Sequence, residues 1–127
     1  MNFTKRTSTT QLYSLAKKLK LNGFHICRPS GLKSALKNDS IKSIVMNLDD
    51  YGTGTHWIAI HKPSKTYFDS YAQASPSVVP RDYKRSSTTK ELQSIDSEMC
   101  GGLSVLWLHY KQYRSNSEFY DMFSDVY

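Results

Sequence analysis

Apolar residues near the start of the chain recur at the spacing of one helix face. They are Leu12, Leu15, Ala16 and Leu19, with lysines at 17, 18 and 20 between them. Residues three and four positions apart share one side of an α-helix. The pattern predicts a first helix over residues 11–21, which Asn22-Gly23 ends. A second, shorter helix is predicted from a capping Ser30 to Leu36, before Asn38-Asp39.

The middle of the chain carries three short apolar segments that turn residues separate. Residues 41–48, 56–61 and 66–70 are predicted as strands, and a glycine-rich turn over 49–54 joins the first two. The residues at 62–65, Lys-Pro-Ser-Lys, form a tight reversal, so the second and third strands are predicted to pair as an antiparallel hairpin. In that hairpin, positions whose numbers sum to about 127 lie opposite one another.

The second half of the chain begins with a polar stretch and returns to helical spacing. Residues 71–98 are rich in Ser, Thr and Pro and predict a long loop, with one short helix over 78–83. Residues 100–113 predict a helix with Leu103, Leu106, Trp107 and Tyr110 on one face. A final helix is predicted over 118–126. Helices at both ends around a small antiparallel sheet make an α+β fold.

Length and composition favour one globular domain over residues 1–127, with 1–9 as a flexible tail. The chain has 127 residues, 39% of them hydrophobic and 22% charged, which is enough for one hydrophobic core. Its apolar runs are too short to span a bilayer, so no membrane partner is expected. The polar first ten residues predict no secretory leader. Two cysteines are too few for a disulfide framework, so both thiols are expected to be reduced.

The net charge of +6 suits either an acidic partner or ordinary solubility. The basic residues that would contact DNA are Lys17, Lys18, Lys20, Lys33, Lys37, Lys42, Arg81, Lys84 and Arg85. Scattered lysines and arginines are equally typical of a solvated surface. Charge alone therefore leaves both interpretations open.

Cys100 stands where a polar loop meets an apolar helix, and Gly101-Gly102 follow it. A helix N-terminus offers N–H groups without intrahelical partners and a partial positive charge, which favour thiolate over thiol. The alternative is a structural cysteine that opens an amphipathic helix. Cys27 is the other thiol, and with His25 it supplies only two ligands, too few for a structural zinc site.

Four histidines are candidates for the base that a cysteine nucleophile needs. His109 lies more than two helical turns from Cys100, and His25 has no acid placed beside it. His56 and His61 share one strand but have opposite parity, so they face opposite sides of the sheet. His56 opens that strand at a glycine-rich turn, where its ring can face a cleft. A structural role for a strand-edge histidine is the alternative.

A cysteine-histidine site also needs an acid that orients the base and a donor to the oxyanion. The hairpin register brings His56 near residues 69–71, so Asp69 is a candidate to orient its ring. An aspartate in an apolar strand needs a partner, although it also suits a turn at the strand end. Gln93 precedes Cys100 by seven positions and is a candidate oxyanion donor, with a solvated loop side chain as the alternative.

These residues give the chain a resemblance to a known family, the adenovirus-type maturation proteases called adenain. The resemblance rests on GTHWIAI around His56, YFDSYA around Asp69, and Gln93 with MCGG around Cys100. An IVMN segment that ends at Asn47 is similar too. The similarity extends over residues 10–113, and outside the motifs it is thin.

The resemblance implies a papain-like cysteine-protease core and a Cys-His-Asp triad. His56 would be the base, Asp69 the orienting acid, Cys100 the nucleophile and Gln93 the oxyanion donor. Trp57 would pack beside the active site and bind substrate. The implied function is a cysteine endopeptidase that cleaves capsid or core precursors during virion maturation, located in the virion and the infected cell. A chain of this length resembles a reduced version from a small double-stranded DNA virus such as a virophage.

The resemblance also bears on partners and cofactors. The expected partner is a polypeptide substrate, a capsid precursor, with DNA as a second partner through the basic residues; the protein is expected to be a monomer. Adenain's peptide activator forms a disulfide, but no cysteine lies between Cys27 and Cys100 here, so no cofactor is expected. Adenovirus enzymes carry Glu at the position of Asp69. In this respect Asp69 resembles the proteases that remove the small modifier SUMO.

Two other functions stay open from the sequence. The first is a protease that removes a ubiquitin-like modifier, which the pair Asp69-Ser70 favours. Recognition of a folded modifier needs a broad surface, about 800 Å² on each partner, and the short chain argues against it. The second is a basic capsid- or nucleic-acid-associated module without activity, which the net charge favours.

Overall fold

A computed structural model describes residues 9–47, 57–69, 79–86 and 100–113. The elements in chain order are α1 (Thr9–Lys18), β1 (Phe24–Cys27), α2 (Pro29–Lys37), β2 (Ser43–Asn47), β3 (Trp57–His61), β4 (Thr66–Phe68), β5 (Lys84–Arg85) and α3 (Cys100–Tyr113). The predicted α+β class is confirmed. The predicted glycine-rich turn over 49–54 and the predicted helix over 118–126 lie outside the described residues. No described helix is long and apolar enough to cross a membrane.

The five strands form one mixed sheet in the order β1-β2-β3-β4-β5. The three central strands pair antiparallel, as the sequence predicts, but both edge strands pair parallel, β1 with β2 and β5 with β4. The prediction of an antiparallel sheet is therefore wrong at both edges. In each parallel pair a connection returns the chain to the same end of the sheet: α2 lies between β1 and β2, and residues 69–83 lie between β4 and β5. Parallel pairing requires such a return.

The hairpin between β3 and β4 has the predicted register. Ala59 pairs with Phe68, Ile60 with Tyr67 and His61 with Thr66, so each pair sums to 127. The turn at 62–65 contains Lys65 in the left-handed region, with φ of 52°. The side chain of Lys62 caps the end of α2, where its Nζ donates to the carbonyl oxygens of Ala35 and Asn38 at 3.0 and 2.8 Å. A lysine at this end of a helix also complements the helix dipole.

Alternation along the strands divides the core between the two faces of the sheet. One cluster lies between the sheet and the helices α1 and α3, and α2 covers a second cluster on the opposite face. In the first cluster Phe68 stacks on Trp107 with ring centroids 5.5 Å apart. The indole Nε1 of Trp107 donates to the hydroxyl of Ser86 at 3.3 Å, which ties α3 to the segment after β5.

The first helix ends earlier than its sequence pattern predicts. Lys20 has a φ of 57°, the amide of Leu21 donates to the Ala16 carbonyl, and the amide of Lys20 donates to the Lys17 carbonyl. These two bonds form a Schellman motif, with a lysine in the position that glycine usually takes. Gly23 has another role: its carbonyl accepts from the amides of residues 42 and 43, and the chain there leaves no room for a Cβ.

The second helix also begins differently from the prediction. Arg28 is its N-cap residue, without a side-chain cap, and Pro29 is at its first turn, so the prediction of a capping Ser30 is wrong. Proline suits that position because its fixed φ is already helical and its missing N–H would have no intrahelical partner. The C-terminal end, with Asn38 as the C-cap, is confirmed.

Two short strands were not predicted, and one predicted helix is absent. Phe24–Cys27 alternates apolar residues over only four positions, which is too short to stand out beside Pro29. Within 79–86, residues 81 and 82 form a turn and Lys84–Arg85 form β5, so the predicted helix over 78–83 is wrong where it is described. Pro80 and the turn-forming Asp82 explain why the segment reverses instead of continuing as a helix.

Candidate active site

The third helix runs beside β3 in the same direction as the strand. Near its N-terminus, the hydroxyl of Ser104 donates to the carbonyl oxygen of Trp57, the first residue of β3, at 3.4 Å. Near its C-terminus, Lys111 acts electrostatically on His61, the last residue of β3. The N-terminus of α3 therefore lies where β3 begins, at the edge of the sheet that the ends of the strands form, which is distinct from the edge strands β1 and β5.

The other end of α3 is fixed by side chains that donate to the turn after α1. Gln112 Nε2 and the hydroxyl of Tyr113 donate to the Lys20 carbonyl at 3.0 and 2.5 Å, and the amide of Asn22 donates to Gln112 Oε1 at 3.0 Å. His109 Nδ1 lies 3.2 Å from the Leu19 carbonyl. These contacts attach the C-terminal end of α3 to residues 19–22.

The edge beside the α3 N-terminus also receives the ends of β2 and β4. Asn47 ends β2 opposite Trp57, and Asp69 follows the last residue of β4, Phe68. Both side chains are buried, with 6% of their surface exposed. A buried carboxylate and a buried amide are costly unless polar groups meet them, so both side chains are expected to be hydrogen-bonded within the fold.

Trp57 is a core residue at this edge. It is 5% exposed and belongs to the cluster between the sheet and α3, together with Phe68 and Trp107. That it packs beside an active site stays a prediction. Its substrate-binding role stays a prediction.

The remaining predicted site residues are described in part or not at all. Cys100 is the first residue of α3, as predicted, although its side chain lies outside the described part of the structure. His56 and Gln93 lie outside the described residues. Of the predicted set, the structure thus places Cys100 at the start of α3, Trp57 at the start of β3 and Asp69 directly after β4.

The second cysteine has the properties of a structural thiol. Cys27 ends β1 and is half-buried. Burial raises the pKa of its thiol to about 11, because a desolvated thiolate is disfavoured. At neutral pH it is therefore a neutral thiol and a poor nucleophile.

None of the three described histidines stands at the α3 N-terminus. His25 lies on β1, which β2 separates from β3. His109 is nine residues from Cys100, about 13 Å along the helix, as the sequence predicts. His61 ends β3 at the opposite edge, where its Nδ1 lies 2.7 Å from the hydroxyl of Ser64. Burial, with Lys111 nearby, lowers the pKa of His61 to about 4, so its ring is neutral at pH 7.

Sequence reasoning missed two residues of this edge. Ser104 was not singled out, although a lone hydroxyl in the apolar run Leu103–Leu108 is a visible signal. Asn47 is noted only as the last residue of the IVMN segment, and the residues around it do not distinguish a buried amide from an exposed one. Among the described residues, no three His, Cys, Asp or Glu side chains group as metal ligands.

Comparisons of the chain with family models, with curated proteins and with solved structures gave no match.

Proposed function

We propose that the protein is a cysteine endopeptidase with Cys100 as nucleophile, His56 as base and Asp69 as the acid that orients the base. Gln93 would donate to the oxyanion. The substrate class we propose is a precursor polypeptide of a viral capsid or core, cleaved during virion maturation, by an enzyme with a papain-like core. This substrate class rests on the resemblance of the motifs.

One observation carries the proposal: three chain segments with the required chemistry converge on one edge of the sheet. The segments are the first turn of α3, the start of β3 and the end of β4. Cys100 opens the first, His56 directly precedes the second, and Asp69 directly follows the third. The contact between Ser104 and Trp57 connects the first two.

The position of Cys100 favours a reactive thiol. The first four N–H groups of an α-helix have no intrahelical partner, and the helix dipole adds positive potential there. Both stabilise a thiolate, and an imidazolium beside it would lower the thiol pKa further. Burial has the opposite effect on Cys27, whose pKa is raised. Of the two thiols in the chain, Cys100 therefore has the setting that nucleophilic catalysis needs.

The reaction then follows the order of acyl transfer. The Cys100 thiolate attacks the scissile carbonyl carbon, and the carbonyl electron pair moves to its oxygen. The backbone N–H groups at the α3 N-terminus and the amide of Gln93 would stabilise that oxyanion. As the C–N bond breaks, the His56 imidazolium gives its proton to the leaving amine. Neutral His56 next takes a proton from water, and the resulting hydroxide displaces Cys100 from the thioester to release the acid.

The hairpin register supports the pairing of His56 with Asp69. The described pairs sum to 127, so a continued ladder would set position 56 opposite 71 and diagonal to Asp69. Diagonal neighbours lie about 7–8 Å apart at their backbones, which long side chains can bridge.

The proposal makes one geometric demand. Trp57 faces the α3 side of the sheet, so regular alternation would turn position 56 to the opposite face. His56 must therefore leave the strand pattern and meet Cys100 beyond the sheet edge. Gly52 and Gly54 shortly before it give the chain the backbone freedom for such a departure.

The test is cleavage of a peptide library by the purified full chain, with products identified by mass spectrometry. Cys100→Ala and His56→Ala are expected to abolish cleavage, whereas Cys27→Ala, the matched thiol control, is expected to retain it. Cleavage that survives Cys100→Ala would refute the proposal. Labelling of Cys100 by a vinyl sulfone of a ubiquitin-like protein, without cleavage of peptides, would instead identify a deconjugating protease.

A further inference from the structure

Ser104 is an unusual residue for its position in α3. Its side chain is fully buried, and its neighbours Leu103 and Val105 are apolar core residues. A buried hydroxyl is unfavourable without a hydrogen bond, and alanine would be both smaller and a better helix former. Packing alone therefore does not account for a serine here.

The hydrogen bond of Ser104 goes to another element. Serine inside a helix commonly donates to the carbonyl four residues earlier in its own helix. Here the hydroxyl lies 3.4 Å from the carbonyl oxygen of Trp57, the first residue of β3. It therefore joins the first turns of α3 to the start of the strand.

Each residue of the Ser104–Trp57 contact lies close in the chain to a proposed catalytic residue. Ser104 is four residues after Cys100, so the two lie on the same helix face, about 6 Å apart along the axis. Trp57 is bonded to His56, and consecutive Cα atoms are about 3.8 Å apart. A shift of α3 relative to β3 would change the Ser104 contact and the Cys100–His56 distance together.

We propose that Ser104 is a positioning residue that holds the N-terminus of α3 against the start of β3, so that the thiol of Cys100 meets the ring of His56. This inference rests on the proposed protease function and adds a residue to it. Ser104 touches no reacting atom. It acts by setting the distance between the thiol of Cys100 and the ring of His56.

The experiment measures the alkylation rate of Cys100 by iodoacetamide from pH 4 to pH 9 in the full chain, by peptide mass spectrometry. The variant is Ser104→Ala. The matched control is Ser43→Ala, because Ser43 is also a fully buried serine of this core, and its hydroxyl has no hydrogen-bond partner within the described part of the chain. Ser43 lies at the opposite edge of the sheet, paired with His61.

In the wild type, the rate is expected to reach half its maximum below about pH 7.5, as for a thiol paired with an imidazolium. Ser104→Ala is expected to raise that midpoint by about one pH unit, which lowers the alkylation rate at pH 5 about tenfold. Ser43→Ala is expected to leave the midpoint unchanged. Circular dichroism checks that both variants fold. Ser104→Ala is expected to melt a few degrees below Ser43→Ala, because only Ser104→Ala removes a hydrogen bond.

The outcomes separate this inference from the function on which it rests. A low wild-type midpoint that Ser104→Ala moves no more than Ser43→Ala does would overturn the role of Ser104 and leave the protease proposal standing. A wild-type midpoint near 8.5, the value for an ordinary cysteine, would refute both. If Ser104→Ala does not fold, Ser104→Cys, which is close in size and carries only a weak S–H donor, gives the same comparison, with fragment masses assigning the label to position 100.

Discussion

The turn after α1 contains two left-handed residues that predict opposite effects of substitution. Gly23 has a φ of 56°, and a Cβ placed on it would lie 2.8 Å from the amide nitrogen of Lys42 and in hard contact with the carbonyl oxygen of Ser40. Both are backbone atoms, so neither can turn away. Lys20 has a φ of 57° and an exposed side chain. Glycine is the favoured residue at the position that Lys20 occupies.

Gly23→Ala is expected to destabilise the fold by about 2–4 kcal/mol. The left-handed conformation costs a non-glycine residue about 1–2 kcal/mol. Relief of the clash would stretch the bonds that the Gly23 carbonyl accepts from the amides of Lys42 and Ser43, at 2.9 and 3.1 Å, each worth about 1 kcal/mol. Lys20→Gly removes the conformational cost without a clash and is expected to stabilise the fold by about 0.5 kcal/mol after the greater chain entropy of glycine is subtracted.

Thermal unfolding followed by circular dichroism measures both effects. For a chain of this length, 3 kcal/mol corresponds to a fall of about 10 °C in the melting temperature. Lys20→Gly is the control, since it alters the same turn in the opposite direction. A melting temperature of Gly23→Ala within about 2 °C of wild type would refute the close approach between Gly23 and residues 40–42.

Three further predictions concern stability and reactivity. The folded-state pKa of His61 is lowered to about 4, so the unfolded chain binds more protons between pH 4 and 6.5. The free energy of unfolding should therefore be highest above pH 6.5 and fall by about 1–2 kcal/mol towards pH 4, a range that allows for solvent screening. In urea titrations of His61→Gln, this dependence on pH should be lost. Because burial raises the pKa of Cys27 to about 11, iodoacetamide at pH 7 should modify Cys100 at least about a hundredfold faster than Cys27. Equal rates for the two thiols would contradict the proposal that Cys100 is the nucleophile. Phe68→Ala removes the ring stacked on Trp107 and should cost about 3–5 kcal/mol by urea titration, whereas a cost below about 1 kcal/mol would show that the stack is absent.

The sequence was sufficient for the elements with strong periodicity. The bounds of α3 and the register of the β3–β4 hairpin agree with prediction, because the former has a long apolar pattern and the latter a tight turn that fixes its pairs. The edge strands β1 and β5 were missed, because strands of four and two residues carry too little pattern to recognise. Their parallel pairing depends on how the chain returns across the sheet, which local sequence does not encode.

The candidate site was predictable in chemistry more than in geometry. Residue types and spacing pointed to Cys100 and Asp69, and the structure gives the first a helix N-terminus and the second a buried place at the same edge. Ser104 was missed because the role proposed for it depends on a contact with a residue 47 positions away. Such contacts follow from the packing of α3 on the sheet, which periodicity predicts only as a buried face.

The most direct test of the central claim is a crystal structure of the full chain that resolves the side chains of Cys100 and His56. The proposal predicts the sulfur of Cys100 within about 4 Å of a ring nitrogen of His56, somewhat longer than a hydrogen bond in an unliganded enzyme. It also predicts the carboxylate of Asp69 on the other side of the ring. A sulfur and an imidazole that face opposite sides of the sheet, more than roughly 8 Å apart, would contradict proteolysis by this pair.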